Sequence, residues 1–133
     1  MKKFSLSYLI LSSFIFSSIA IAGEITCVNK INLKANTKHS RVTLVNKNDE
    51  NNYYFEYNTG ACDRCDETLE FSKDGVIIGH NGDDATYSID GQNLFVIHNK
   101  RNVIDSTGAS YTKAVFYYKR KNLDFYCVNK SKN

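Results

Sequence analysis

The chain has 133 residues, with 17 Lys and Arg against 14 Asp and Glu, no proline, no tryptophan and four cysteines. Residues 1–22 read as a cleaved export signal, which leaves 133 − 22 = 111 residues, one domain's worth, able to bury a core. Two of the lysines go with the signal, so the remaining balance is (17 − 2) − 14 = +1. That excess is too small for a protein built to hold nucleic acid, which neutralises many phosphates at once.

In chain order, Met1-Lys2-Lys3 is a positive leader, residues 4–19 form an apolar stretch diluted only by Ser and Tyr, and Ala20-Ile21-Ala22 places small residues before Gly23, as a signal peptidase requires. The expectation is therefore an exported protein, periplasmic or extracellular, without a membrane span in residues 23–133.

From Gly23 onward the pattern has period two. In the run 53–57, Tyr53, Phe55 and Tyr57 share one face, with Tyr54 and Glu56 on the other. Val42 and Leu44 share a face in the preceding run. Asp74-Gly75, between residues 68–73 and 76–81, reads as a tight hairpin turn, and Asp90-Gly91 as a second. A third hairpin joins residues 114–119 to 123–128 through Arg120-Lys121-Asn122. No stretch of ten or more residues has a helical period, although the segment around Cys62 has room for one helical turn. The predicted fold is all-β: a small antiparallel meander of about 7–9 strands forming a barrel or a sandwich, stapled by disulfides.

An even number of cysteines in a short exported chain reads as a disulfide framework, for which three connectivities are possible. Cys27 and Cys127 fall in the first and last strands, which are neighbours in a closed meander. Cys62 and Cys65 fall in one turn. The pairing that fits is Cys27–Cys127 with Cys62–Cys65. A redox reading of Cys62-Asp63-Arg64-Cys65 needs an activated thiolate at a helix start, yet strands flank it and Asp63, Asp66 and Glu67 raise a thiol pKa. A four-cysteine zinc site needs two close pairs, and only one exists.

Charge is uneven along the chain. Residues 48–91 carry 11 acids against Arg64 and Lys73, whereas residues 92–133 carry eight bases against Asp105 and Asp124. This makes two faces of opposite charge, unless strands from the two halves interleave. His80 and His98 are the candidate acid–base pair of a secreted nuclease or other hydrolase. Asp83 and Asp84 offer oxygen ligands to calcium, but Asp, Asn and Gly are also what tight turns require. No paired carboxylates, nucleophile elbow or phosphate-binding glycine loop stands out, so no catalytic residue, metal or cofactor is expected.

Residues 106–121 carry a resemblance. Thr107, Gly108 and Tyr111 fall on a Ser-Gly-x-x-Tyr motif, and Phe116, Tyr117 and Lys119 on an aromatic pair followed by one residue and Lys-Gly. This pattern resembles bacterial periplasmic C-type lysozyme inhibitors, small antiparallel β-barrels, and Cys27 and Cys127 match their terminal bridge loosely. Thr107 replaces the motif serine and Arg120 the glycine, and the Cys62/Cys65 pair has no counterpart. The resemblance implies that Thr107 and Lys119 enter the active-site cleft of a lysozyme. The residues themselves point to binding. Thr107, Gly108, Tyr111, Lys119, Arg120 and Lys121 are the candidate contacts, and Lys119-Arg120-Lys121 suits an acidic cleft on a partner protein or an anionic envelope surface. The expected function is inhibition of, or immunity to, a cell-wall hydrolase such as lysozyme. The alternatives are the hydrolase using His80 and His98, and a structural envelope protein without a dedicated ligand.

Overall fold

A computed structural model describes residues 23–47 and 51–128. The export signal expected in residues 1–22 lies outside them. The described chain is all-β, with strands β1 (Glu24–Val28), β2 (His39–Asn46), β3 (Asn52–Ala61), β4 (Thr68–Asn81), β5 (Asp84–Ile89), β6 (Gln92–Ile104), β7 (Ser110–Tyr118) and β8 (Lys121–Val128). Each strand pairs with the next, antiparallel, and β8 returns to β1, so the sheet closes as a barrel in sequence order. No helix among the described residues is long and apolar enough to cross a membrane.

Closure decides where the side chains go. An eight-stranded barrel has an interior just wide enough for side chains to fill it. Alternation sends Val42, Leu44, Phe55, Val76, Phe95, Phe116 and Phe125 inward, each 0–1% exposed. Phe116 is at the centre: its ring lies 5.1 Å from Phe55, 4.9 Å from Tyr57 and 4.9 Å from Tyr118 between centroids. Such contacts add about 0.5–1.5 kcal/mol per pair beyond the area they bury. The lumen is therefore a packed aromatic core.

Asp74-Gly75 is not a hairpin turn. β4 runs unbroken through it, and the register slips there, Tyr53 facing Val76 while Phe55 faces Lys73. Two residues on β4 thus oppose one on β3, and Gly75 takes the φ of +72° that such a bulge needs. The chemistry that makes Asp-Gly good in a tight turn also makes it good in a bulge. Asp90-Gly91 does turn the chain, at φ 53° and 78°. The third hairpin turns one residue earlier than its sequence suggests: Tyr118 pairs with Lys121, and Lys119 and Arg120 make the turn. The segment at Cys62 holds one hydrogen-bonded turn, Cys65 N to Cys62 O, and no helix.

Cys27 and Cys127 face each other across the β1–β8 pair and are bonded, as are Cys62 and Cys65. No cysteine among them is free.

Candidate functional site

Because the strands follow one another around the barrel, the two halves of the chain do not interleave. β3, β4 and β5, with their turns, hold Glu56, Asp63, Asp66, Glu67, Glu70, Asp74, Asp83 and Asp84 on one arc of the wall. β6, β7 and β8 hold Lys100, Arg101, Lys113, Lys119, Arg120 and Lys121, and β8 leads on to the basic β1–β2 segment with Lys30, Lys34, Lys38 and Arg41. Ion pairs mark both borders of the acidic arc: Arg41 to Glu67 at 2.5 Å, and Lys100 to Asp83 at 3.6 Å. These pairs are at the surface and add little stability. Their importance is that the charge remaining on each arc faces solvent.

The strongest concentration of cations is the β7–β8 turn. Lys119 (φ 52°) and Arg120 (φ 65°) both occupy the left-handed region, where a two-residue turn matches the twist of its strands. Asn-Gly fits that geometry without strain, whereas a long L side chain costs about 1 kcal/mol or more. Lys119 Nζ lies 5.1 Å from the centre of the Tyr118 ring, and among the described residues no acid pairs with Lys119, Arg120 or Lys121.

Thr107, Gly108 and Tyr111 form a different structure at the other end of β7. Asp105 organises it. Its Oδ1 accepts from Thr107 N (2.9 Å), Thr107 Oγ1 (2.7 Å) and Ala109 N (3.0 Å), and its Oδ2 accepts from Tyr111 OH (3.3 Å). Gly108 supplies a φ of +92° that permits the bend. Asn32 Oδ1 accepts from Ser106 N and Oγ, at 2.7 and 2.9 Å, which ties this loop to the β1–β2 segment. The Thr107 hydroxyl is thus donated within its own loop. β7 has nine residues, about 26 Å from end to end at ~3.3 Å per step when fully extended, and it separates Thr107 from Lys119. The two halves of the resembled motif are separated by the length of the strand.

The donors around Asp105, led by the Thr107 hydroxyl, hold its carboxyl below the usual carboxylate range, while burial pushes the Tyr111 phenol up. A depressed folded pKa contributes stability that is complete above the unfolded value, about 3.9, and is lost as pH falls through the lower folded value. The Thr107 and Ala109 amide resonances should therefore hold steady from pH 7 to pH 4 and move only below it. Asp105→Asn should abolish that acid step. An unchanged acid transition in the variant would show that another group controls the loop.

His80 and His98 are not brought together. His80 pairs with Ala85 and Ala85 with Ile97, whereas His98 pairs with Asp84, so the two rings fall on opposite faces of the sheet. His98 Nδ1 lies 3.2 Å from Asp84 Oδ1, and Asp83 faces Lys100. Among the described residues no three His, Cys, Asp or Glu side chains converge as metal ligands.

Asp105 escaped the sequence reading, although Asp-Ser-Thr-Gly is the signal of a side-chain-capped turn. The class defined by these features is a filled, eight-stranded antiparallel meander barrel, closed by a disulfide, with a basic arc and a cationic turn. Neither a protein-family model, a curated protein nor a solved structure matches the chain.

Proposed function

We propose that the protein is exported and works by binding, with the Lys119-Arg120-Lys121 turn entering an acidic cleft on a partner protein. The most concrete partner is a cell-wall hydrolase such as a lysozyme, which the protein inhibits or to which it gives immunity. The observation that carries the reading is the turn: two cations kept at left-handed positions, without acidic partners among the described residues, at the tip of the β7–β8 hairpin. Strain retained at an exposed tip points to use of its side chains. The resembled motif has glycine where Arg120 stands, and the φ of +65° there is one that glycine favours. The basic arc behind the turn steers an acidic partner and speeds its association, an effect that falls with salt. Two disulfides suit an oxidising compartment.

The test is inhibition of a C-type lysozyme by wild type, Lys119→Ala and Thr107→Ala. Lys119→Ala should lose potency tenfold or more while its melting temperature falls by no more than about 5 °C, the effect of losing the exposed contact with Tyr118. Thr107→Ala should keep potency, because Thr107 lies at the far end of β7. Equal losses in the two variants would defeat a turn-first docking mode, and no inhibition by wild type would defeat the lysozyme assignment. Wild-type binding to anionic lipid vesicles without any enzyme inhibition would move the partner to the envelope surface.

A further inference from the structure

The barrel wall is not closed along its whole length. β8 pairs with β7 through all eight of its residues, from Lys121 to Val128. On its other side β8 meets β1 at two positions only, Cys27 with Cys127 and Val28 with Tyr126. At Asn29 the chain stays with β2: Asn29 N donates to Ser40 O at 3.1 Å, and Ser40 N donates to Asn29 Oδ1 at 2.9 Å. It then leaves the wall. Among the described residues no backbone hydrogen bond reaches the free edge of Lys121–Phe125. A cleft of about 260 Å³ opens there, lined by Asn29, Ser40, Tyr57, Leu123, Asp124 and Phe125.

Backbone N–H and C=O groups on a strand edge are strong donors and acceptors that seek partners. We propose that this seam accepts an extended segment of a partner protein, added as a strand beside β8 in the lane that β1 vacates. The occupant runs in the sense of β1, antiparallel to β8, because the lane continues β1. Its direction fixes its charge. A segment running that way ends beside the start of β8, where Lys119, Arg120 and Lys121 have no acidic partners among the described residues, so acids belong at its C-terminal end. Leu123, Tyr57 and Phe125 offer an apolar floor for one side chain in the middle. Asp124 is exposed on the same edge and repels an acid placed there, which sets the order apolar first, acidic last. Strand addition of this kind takes affinity from the main chain and specificity from alternate side chains. The seam is a surface in its own right and stands whether or not the turn enters an enzyme.

The probe is the peptide acetyl-Ser-Thr-Phe-Thr-Glu-Glu with a free carboxyl terminus, and the control is the reverse sequence as an amide. Both are titrated into ¹⁵N-labelled protein, followed by amide exchange. The forward peptide should shift the amides of residues 121–125 and Ser40 and slow the exchange of Asn122 and Asp124, whose N–H groups face the lane, tenfold or more. The reversed peptide should bind at least tenfold more weakly. Three results overturn the proposal: amides of Asn122 and Asp124 already protected in the free protein, no shift with millimolar forward peptide, or equal binding of both peptides. A lysozyme assay on the same sample reads the turn separately, so failure of one reading is not mistaken for failure of the other.

Discussion

Exchanging Lys119-Arg120 for Asn-Gly should make the protein more stable and functionally empty. Both replaced residues occupy the left-handed region, at φ 52° and 65°, with side chains that disfavour it. Asn-Gly is the preferred pair for this turn, and relief of backbone strain is worth about 1–2 kcal/mol in total. For a domain near 100 residues that raises the melting temperature by about 5 °C. Two unpaired cations also leave the tip, along with the contact of Lys119 with the Tyr118 ring at 5.1 Å. That contact is exposed, so its loss subtracts only about 0.5–1 kcal/mol. Inhibition or partner binding should fall a hundredfold or more, and what binding remains should lose most of its salt dependence. The measurements are a thermal melt and a binding titration at two ionic strengths. A variant that is stabilised and still binds fully would remove the turn from the site. Destabilisation would mean instead that packing around the turn outweighs its strain.

How much of this was legible beforehand depended on range. Alternation put Val42 with Leu44, and Phe55 with Tyr53 and Tyr57, on shared faces, and marked Asp90-Gly91 as a turn, because these are properties of adjacent residues. Asp74-Gly75 misled because a hairpin and a bulge both need a positive φ, and only the partner strand decides between them. The pairing of Cys27 with Cys127 followed from closure of a meander, a topological argument needing no distances. Separation of the charged arcs was undecidable from sequence, since an interleaved sheet has the same composition as a sequential one. The separation of Thr107 from Lys119 was hidden for the opposite reason: a motif spanning residues 107–119 looks local until a nine-residue strand is found to run through it. His80 and His98 failed as a pair on parity alone, because a register two strands away sets which face each ring occupies.

The two disulfides should contribute very unequally. Cys27 and Cys127 are 100 residues apart, and bridging a loop of that length is worth about 4.7 kcal/mol in the chain-entropy model. Cys62 and Cys65 are three apart, and the same relation gives no more than about 2 kcal/mol. Native pairing between Thr59 and Thr68 already holds the ends of that short segment near one another. The long bridge has a further role: apart from it, closure of the barrel rests on two residue pairs between β1 and β8. Removing it as Cys27→Ala/Cys127→Ala should cost about 3–5 kcal/mol, a large part of the 5–15 kcal/mol that holds a typical domain folded. Amide exchange in β1 should accelerate more than exchange in β3, because the seam widens before the core gives way. Cys62→Ala/Cys65→Ala should cost about 1 kcal/mol and leave β1 as it was. Urea unfolding of the two double variants, with exchange followed residue by residue, separates the effects. Equal losses from the two would show that the barrel is held shut by its aromatic core, with Phe55, Phe116 and Phe125 doing what is assigned here to the terminal bridge.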